Sequence, residues 1–481
     1  MVGRAGKSRF LREFPGSLHE GVGAIFLGAG VSMAAGYPSW ASLLREVGEE
    51  LGLSSSDIHH LAALAQWHIR ENGGATRVRN IIKTEIGRDL PVPEALEVIA
   101  RLPVRHIWTT NYDRLVERAF EAIRRPIDVL SGSKDLSLKA KPSAVRLYKM
   151  HGSIDRLDDI VISTDDYELY RSRRGAFLPL LQAHLTGMSM LFVGLSLTDP
   201  NVRHVLSLIR ESFLDAPPEH FAIVRPPKAD DFTNPNEFKA RAAQHALWAK
   251  DLQRYGLIAV EIDDYDEVPA LLRQVERRVA NQRVWVSGSW PIEAIDPQSQ
   301  KIYRLSENLG RLVGNRGLCL VTGSGVLVGP ASIAGFLEAL RVDGGWDIDQ
   351  RLISRPFPQP PLGGEADKTL WSAHRAELAR NAGTVVFLGG AKTSGGSIVA
   401  AEGVMEEFEK AKGAGAFLLR VGSTGGAAKL ICDQLQGSSL PFSGSDASRP
   451  SDDELTALSD ETMTMEATIK LIDTIIMRHH K

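Results

Sequence analysis

Short apolar runs recur along the first half of the chain, each followed by a glycine or polar turn and then by a segment with helical spacing. Runs of this kind, rich in β-branched and aromatic residues, predict strands. The predicted strands are Ala24–Leu27, His106–Thr110, Val145–Met150, Met190–Val193, His220–Val224 and Leu257–Ile262. Helical segments lie between them, including Ala41–Leu51. Strands that alternate with helices indicate a parallel, doubly wound sheet.

The same pattern begins again near residue 280. The predicted strands of this second series are Arg283–Val286, Leu318–Val321, Thr384–Leu388 and Ala416–Val421. Helices are predicted at Ala331–Leu340, Ser372–Arg380, Glu402–Lys412, Ala427–Gln434 and Asp453–His479. A chain of 481 residues is long for one hydrophobic core. We therefore predict an α/β fold with two Rossmann-like domains, 1–280 and 281–481, each a mostly parallel sheet flanked by helices.

Composition and charge argue against several classes of protein. The formal net charge is −3, so no overall positive field would attract nucleic acid or a membrane surface. Cys319 and Cys432 are too few for a disulfide framework or a four-cysteine zinc site, and we expect no metal. The N-terminal residues lack the apolar core of a signal peptide, and the apolar stretches are shorter than a membrane span. The sequence thus predicts a cytoplasmic protein that binds neither nucleic acid nor membrane.

Polar motifs follow the predicted strands of the first domain at their carboxyl ends, where ligands bind in such sheets. The segment Gly28-Ala29-Gly30-Val31-Ser32 follows the first strand, and glycines there let backbone N–H groups approach phosphates closely. The other motifs are the loop Gly36–Trp40 with Pro38, the segment Thr109–Asp113 with Asn111, the pair His151-Gly152, and Gly194-Leu195-Ser196. Together they favour a nucleotide site.

Each motif also has a purely structural interpretation. Asn111 and Asp113 are suited to cap the helix that follows them. His151 could be a hydrogen-bonded histidine at the end of a strand, and Gly194 and Ser196 could be turn residues. Their occurrence in this order, at successive strand ends, is what makes a functional site the better interpretation.

The order of these motifs resembles the sirtuin family over about residues 20–270. Sirtuins carry GAGxS, a GxP-containing loop, TQN-x-D, HG and a G-T/S-S motif in that sequence. The resemblance implies a Rossmann-type NAD-binding sheet with NAD⁺ as substrate. The dinucleotide site that it implies consists of Gly28, Ala29, Gly30, Ser32, Pro38, Asp113, Gly194 and Ser196.

Two departures from the sirtuin pattern narrow the chemistry. Thr110 stands where sirtuins have Gln, and the sequence lacks the zinc-ribbon module with its four cysteines. That module helps deacetylating sirtuins to form the cleft for the acetyl-lysine peptide. Its absence argues against deacetylation and leaves hydrolysis of NAD⁺ to nicotinamide and ADP-ribose as the simpler reaction.

Asn111 and His151 are the catalytic residues in this interpretation. Nicotinamide departs neutral and leaves an oxocarbenium-like ribose, so the site must hold that cation and admit a nucleophile on one face. The Asn111 carboxamide can accept from and donate to a ribose hydroxyl or a water, which fixes the geometry of attack. His151 can remove a proton from that hydroxyl or water, because imidazole titrates near neutral pH. Asp113 would either orient the ribose or only cap the helix.

Glycine-rich segments also end the predicted strands of the second domain. They are Ser287-Gly288-Ser289, Thr322-Gly323-Ser324-Gly325, Gly389-Gly390 and Gly395-Gly396-Ser397, with Arg375, Lys392 and Glu402 nearby in sequence. Glycine-rich loops with neighbouring cations suit a phosphorylated ligand. A stabilising α/β domain with turn glycines is the alternative.

The second domain resembles the SLOG family of Rossmann-like nucleotide sensors, since GG…GG-x5-E is a loose version of that family's PGG-x-GT-x2-E. A sirtuin-like domain followed by a SLOG domain resembles the effector family of the Thoeris anti-phage system. This resemblance implies an NAD⁺ hydrolase that assembles as a homo-oligomer, a tetramer or larger. It also implies activation by a cyclic ADP-ribose isomer, made by a TIR-domain partner protein, and depletion of NAD⁺ in antiviral defence.

The signal-binding residues implied by this resemblance are Ser287, Gly288, Ser289, Gly323, Arg375, Lys392, Glu402 and Glu407. Arg375 suits a bidentate phosphate contact and Lys392 a point-charge contact, although Arg375 could equally be a surface residue. The acidic residue that binds ribose hydroxyls could be Glu402, Glu406 or Glu407. Three other functions stay open at this point: an NAD-dependent deacylase or ADP-ribosyltransferase, a non-catalytic NAD or nucleotide sensor that acts through a partner protein, and an oligomerisation scaffold.

Overall fold

The chain forms two compact units, Met1–Glu276 and Arg277–Lys481. The computed structural model describes residues 2–53, 60–195, 200–213, 218–292, 296–342, 344–360, 364–435 and 450–480. Each unit has a parallel sheet flanked by helices, so the predicted α/β fold class is confirmed. No helix in these described ranges is long and apolar enough to cross a membrane.

The N-terminal unit is built on a sheet in which seven strands are described. They are β1 (Gly23–Leu27), β2 (His106–Thr109), β3 (Ile127–Leu130), β4 (Val145–Lys149), β5 (Ser189–Val193), β6 (His220–Val224) and β7 (Leu257–Glu261). The order is β3-β4-β2-β1-β5-β6-β7, and neighbouring strands are parallel. Every residue of β1 and β6 is buried, as expected of parallel strands that helices cover on both faces.

Helices connect and cover these strands. They are α1 (Val2–His19), α2 (Ala29–Met33), α3 (Trp40–Leu43), α4 (Arg45–Glu50), α5 (Leu61–Glu71), α6 (Thr76–Ile86), α7 (Glu94–Arg101), α8 (Leu115–Ala122), α9 (Thr164–Glu168), α10 (Tyr170–Arg174), α11 (Phe177–Gly187), α12 (Pro200–Ser212), α13 (Pro235–Asp251) and α14 (Val268–Asn281). The helix predicted at Ala41–Leu51 is in fact two, because the backbone leaves the helical conformation at Leu44.

The C-terminal unit has a second parallel sheet and a separate hairpin. Its described strands are β8 (Arg283–Ser289), β9 (Cys319–Thr322), β10 (Leu352–Ser354), β11 (Thr384–Gly389), β12 (Ala391–Ser394), β13 (Ser397–Ala400) and β14 (Phe417–Val421). The sheet order is β10-β9-β8-β11-β14, and β12 pairs antiparallel with β13. The helices are α15 (Pro297–Asn315), α16 (Val328–Val342), α17 (Ile348–Arg351), α18 (Lys368–Asn381), α19 (Glu402–Gly413), α20 (Gly426–Leu435), α21 (Asp452–Ala457) and α22 (Met465–His480).

Strands β3 and β10, the β12–β13 hairpin and the division of the last helix were not predicted from the sequence. Strands β3 and β10 lie at the edges of their sheets, are short and are largely half-buried or exposed, so they lack a continuous apolar run. The β12–β13 hairpin is mostly exposed, although its two-glycine turn is a recognised hairpin signal. The single final helix predicted at Asp453–His479 is in fact α21 and α22, and α21 begins at a capping box formed by Ser451 and Glu454.

Histidines in the core of the N-terminal unit are held in the neutral form. Burial, above all, lowers the pKa of His106, His184 and His220 to about 4 in each case. Trp108 Nε1–H donates to His184 Nδ1 at 3.0 Å, and the backbone N–H of Met190 donates to His220 Nδ1 at 3.2 Å. A protonated ring nitrogen could not accept either bond.

Mild acid should therefore destabilise the N-terminal unit. In the unfolded chain these histidines take up protons near pH 6.5, whereas in the folded unit they resist protonation until about pH 4. Their contribution to the free energy of unfolding is complete above pH 6.5 and is lost as the pH falls towards 4. We expect the thermal midpoint to fall across this window. His184→Gln, whose amide oxygen can still accept from Trp108, should weaken the dependence, and an unchanged pH profile in that variant would contradict the assignment.

Candidate functional site

The loops that carry the motifs of the N-terminal unit meet at the carboxyl ends of its central strands. Leu27 of β1 is in register with Thr109 of β2 and with Val193 of β5, and Thr109 is in register with Lys149 of β4. The chain runs from β1 out to β2, β3 and β4 on one side and returns to β5 on the other. The strand order therefore reverses between β1 and β5, and parallel sheets bind ligands in the crevice at such a switch point.

Three glycines bring the β1 and β5 loops into direct contact. The N–H of Gly28 donates to Val193 O and that of Gly30 donates to Gly194 O, both at 2.9 Å. A Cβ added to Gly28 would lie 2.4 Å from Gly194 O, and one added to Gly194 would lie 2.7 Å from Val31 N. Gly194 also has a φ of +67°. The N–H groups of Gly28 and Gly30 thus hold the two loops together.

Asn111 joins the β2 loop to the β1 loop. Its Nδ2 donates to Gly28 O at 2.9 Å and to Ser32 Oγ at 2.8 Å. The Ser32 hydroxyl in turn donates to Asp113 Oδ2 at 2.6 Å. Ser32 and Asp113 are buried, while Asn111 is half-buried. The structure therefore brings together four of the predicted site residues at the switch point, namely Gly28, Ser32, Asn111 and Asp113.

Of the two residues that could cap helix α8, Asn111 and Asp113, only the side chain of Asp113 contacts the helix. Asp113 Oδ1 accepts from the backbone N–H of Leu115, the first residue of α8, at 3.0 Å, while its other oxygen binds Ser32; the N-cap position itself is occupied by Arg114. The Asn111 side chain is directed at the β1 loop, and its backbone N–H donates to Thr109 Oγ1 at 3.0 Å. Asn111 is thus held by the glycine loop, whereas Asp113 serves both the helix and the site.

His151 lies on the next loop, two residues after β4. Its side chain is buried, and its ring meets those of Tyr167 and Tyr170 edge-on, with centroids 5.4 and 6.5 Å away. Its carbonyl accepts from the N–H of Val161 at 2.9 Å. The following Gly152 has a φ of +90°, which a residue with a side chain would adopt only with strain. Packing and backbone thus fix the direction of the imidazole.

A polar cavity of about 270 Å³ lies beside the His151 loop. Tyr170 and Val161, which contact that loop, belong to its lining. The charged lining residues form the ion pairs Arg79–Asp158, Arg173–Asp166 and Arg174–Asp159, with N–O distances of 3.0, 3.1 and 2.8 Å. Positive and negative groups are thus balanced around the cavity.

The predicted site also includes Ala29, Gly30, Pro38 and Ser196. Ala29 and Gly30 are exposed at the start of α2, and Pro38 is half-buried between α2 and α3. The Tyr37 hydroxyl beside Pro38 donates to Arg88 O at 2.6 Å, which anchors this loop. Ser196 lies outside the described residues.

A buried ion pair next to the site, Lys149–Glu117, was not predicted from the sequence. Lys149 Nζ lies 2.8 Å from Glu117 Oε1 and also donates to the carbonyls of Tyr112 and Asp113. The side chains of Lys149 and Glu117 are 1% and 5% exposed. The signal that could have revealed the pair is a lysine between the apolar residues Leu147, Tyr148 and Met150 at the end of a predicted strand, because buried lysines are rare unless paired.

The C-terminal unit has its own switch point, between β8 and β11. The chain leaves β8 for β9 and β10 on one side and returns to β11 on the other. Ser289 and Gly389 are in register where these two strands end. A Cβ on Gly288 would lie 2.0 Å from Leu388 O, so this glycine permits the close approach of the two strand ends.

Ser287, Arg375, Glu406 and Glu407 form one cluster beside this switch point. The Ser287 hydroxyl donates to Glu407 Oε2 at 2.5 Å, and Arg375 Nη1 donates to Glu406 Oε2 at 2.7 Å. Burial raises the pKa of Glu407 to about 7. Two of the acidic candidates, Glu406 and Glu407, thus lie beside Arg375.

Arg375 is a buried residue, so its interpretation as solvated surface is wrong. Only 8% of it is exposed, and its guanidinium lies 4.9 Å from the ring centre of Phe357 and 5.8 Å from that of Trp371. A Cβ on Gly323 would lie 2.7 Å from the Phe357 ring. Gly323 therefore acts by leaving space for the aromatic ring that covers Arg375.

Lys392 and Glu402 form a separate, exposed pair. Lys392 lies on β12 of the hairpin, and its Nζ is 3.5 Å from Glu402 Oε2. The Ser289 hydroxyl donates to Ala391 O at 3.1 Å, which ties the hairpin to the end of β8. The predicted signal-binding residues thus divide into the buried cluster around Arg375 and this exposed pair.

Comparisons with known protein families match both halves of the chain. The family described as SIR2-like domain matches residues 105–247, and the Sir2- and TIR-associating SLOG family matches residues 267–479. NAD(+) hydrolase ThsA of Bacillus cereus (strain MSX-D12) is 35% identical over 428 residues, which cover 87% of each chain. The chain belongs to the ThsA family of NAD(+) hydrolases.

Other members and a more distant relative agree with this assignment. The ThsA NAD(+) hydrolase of Enterococcus faecium is 31% identical over 439 residues, covering 89% of this chain and 90% of the relative. Defense-associated sirtuin 2 of Bacillus subtilis is 26% identical over 210 residues, which cover 42% of this chain and 20% of that protein. The resemblances to sirtuins, to SLOG domains and to their combination are confirmed.

The packing at the β1–β5 switch point predicts a strong effect of Gly194→Ala. The added Cβ would contact Val31 N and would hold alanine at a positive φ, so the free energy of unfolding should fall by more than about 1 kcal/mol. Gly187→Ala is the matched control, because its Cβ meets no atom of the described residues within 4 Å. Chemical denaturation of both variants provides the measurement. Equal stability of the two variants would contradict the packing described here.

Proposed function

We propose that the N-terminal domain, residues 1–280, hydrolyses NAD⁺ to nicotinamide and ADP-ribose at the β1–β5 switch point. The observation that carries this proposal is the position of Asn111, bound to Gly28 and Ser32 of the glycine loop, next to the loop that bears His151. Membership of the ThsA family of NAD(+) hydrolases supports it. NAD⁺ is the substrate, and no metal takes part in the proposed reaction.

Asn111 is proposed to position the ribose and the attacking water. Its Nδ2 is committed to Gly28 and Ser32, which fixes the plane of the carboxamide and leaves Oδ1 to accept from a ribose hydroxyl or water. Asp113 accepts a hydrogen bond from Ser32, and Ser32 accepts one from Asn111, so Asp113 helps to fix the position of Asn111. An amide fixed in this way loses little entropy when the substrate binds.

His151 is proposed to be the general base. The bond between C1′ of the ribose and the nicotinamide nitrogen breaks, and its electron pair leaves with neutral nicotinamide. Water then forms the new C1′–O bond and gives its proton to the imidazole. Perpendicular packing against the rings of Tyr167 and Tyr170 restricts the orientation of the imidazole.

Substitution of either residue should abolish most of the reaction while the protein still folds. We expect Asn111→Ala and His151→Ala each to lower nicotinamide release about 100- to 10,000-fold. Asn80→Ala, an exposed asparagine on α6, is the control and should behave as the wild type. Nicotinamide release and NAD⁺ loss are measured together. Wild-type turnover in either site variant would exclude that residue from the mechanism.

We further propose that the C-terminal domain, residues 281–481, binds a cyclic ADP-ribose isomer and thereby activates the enzyme in anti-phage defence. The cluster around Arg375 and the exposed Lys392 provide cations at a switch point of this second sheet. The match to a TIR-associating SLOG family supports a TIR-domain protein as the source of the signal. A homo-oligomer, a tetramer or larger, is proposed as the active assembly.

A phosphate that binds Arg375 has to replace an internal partner. Glu406 occupies the guanidinium at 2.7 Å, and Phe357 and Trp371 cover it. Signal binding at this position therefore includes the exchange of a carboxylate for a phosphate on the same guanidinium, both of which it can bind bidentately. The exposed Lys392 can contact the ligand without such an exchange.

Lys392→Ala tests the sensor without disturbing the core. The Lys392 side chain is about half exposed, so its loss should leave the fold intact and raise the signal concentration for half-maximal activation at least about tenfold. Lys470→Ala, on the exposed face of α22, is the control. NAD⁺ cleavage is titrated with a cyclic ADP-ribose isomer. Superimposable activation curves for the two variants would exclude Lys392 from the signal site.

A further inference from the structure

Lys149 links the two loops that carry the proposed catalytic residues. It is the last residue of β4, two positions before His151, and its ammonium donates to the carbonyls of Tyr112 and Asp113, which directly follow Asn111. Tyr112 O also accepts from the N–H of Ile154 at 2.9 Å. The chain is thus bound to the Asn111 loop on both sides of His151.

The charge of Lys149 is balanced by Glu117. This glutamate lies in the first turn of α8, the helix that begins just after the Asn111 loop, and its Oε1 is 2.8 Å from Lys149 Nζ. Both side chains are almost completely buried. Burying two charges costs several kcal/mol for each ion, and their attraction offsets this only with good geometry and further hydrogen bonds.

Fold stability alone does not account for such a pair. Replacement of a buried ion pair by apolar residues of similar volume is often neutral or stabilising. What an apolar residue cannot supply is a donor for carbonyls in a loop. Tyr112 and Asp113 lie between β2 and α8, outside both elements, where the direction of the backbone depends on such bonds.

We propose that Lys149 is a positioning residue for NAD⁺ cleavage, which sets the distance and orientation of Asn111 relative to His151 by binding the carbonyls of Tyr112 and Asp113. This inference rests on the proposed roles of Asn111 and His151. Lys149 acts through the backbone of the loop and does not touch the substrate. Glu117 supports it by binding the ammonium and so restricting its position.

The test replaces Lys149 and Glu117 together rather than one of the two residues. Lys149→Met alone would leave the Glu117 carboxylate buried without its cation, so the fold itself could be lost. Lys149→Met combined with Glu117→Met keeps similar volume without charge. We expect this double variant to keep its thermal midpoint while kcat falls about 100-fold and KM changes far less, because a misplacement of about 1 Å can cost that factor.

A matched control separates positioning from general stability. Arg125 also donates to loop carbonyls, those of Ala100, Leu102 and Val104, before the start of β2 at the opposite edge of the sheet. Arg125→Met should lower the free energy of unfolding without changing kcat per folded molecule. A loss of kcat per folded molecule in Arg125→Met as large as in the double variant would overturn the inference.

The remaining outcomes distinguish the inference from the proposed function. If Asn111→Ala loses activity but the double variant has the kcat and KM of the wild type, Lys149 is only structural. If Asn111→Ala keeps wild-type activity, the proposed function fails and the inference fails with it. Should the double variant not fold, Lys149→Leu with Glu117→Leu provides a second apolar pair without a donor, for which the same fall in kcat is expected and wild-type kcat would overturn the inference.

Discussion

The close approach of two loops at the β1–β5 switch point is the constraint on which the N-terminal site depends. Gly28, Gly30 and Gly194 meet backbone to backbone, and no side chain larger than hydrogen fits at Gly28 or Gly194 without displacing main-chain atoms. This contact fixes the carbonyl of Gly28, which accepts from Asn111. The glycines therefore determine the direction of the Asn111 carboxamide, to which we assign a role in the proposed reaction.

Two sets of hydrogen bonds connect this contact to the residues around it. Ser32 and Asp113 hold Asn111 from one side, and the buried Lys149 holds the loop backbone from below. A reaction in which the leaving group departs neutral gives the protein little charge to stabilise on that group, so the position of the ribose and the nucleophile has to supply much of the catalysis. A site built from short hydrogen bonds to fixed backbone suits that requirement.

The sequence predicted the parallel strands and the residues at their carboxyl ends, because buried strands are continuous apolar runs and glycines or polar residues end them. It did not predict the edge strands β3 and β10, whose residues are mostly half-buried or exposed. Arg375 was open to a surface interpretation because helical spacing alone does not reveal the aromatic rings of Phe357 and Trp371 above it. Lys149 was missed because its partner Glu117 is distant in sequence and only the fold brings them together.

Cleavage of NAD⁺ at the β1–β5 switch point can be examined with an experimental structure that contains a non-hydrolysable carbocyclic analogue of NAD⁺. Our expectation is that the pyrophosphate lies over the exposed Ala29–Gly30 segment and that the nicotinamide-bearing ring is within hydrogen-bonding reach of both Asn111 and His151. An analogue bound at another place in the chain, or bound here with its nicotinamide end beyond the reach of both residues, would contradict it.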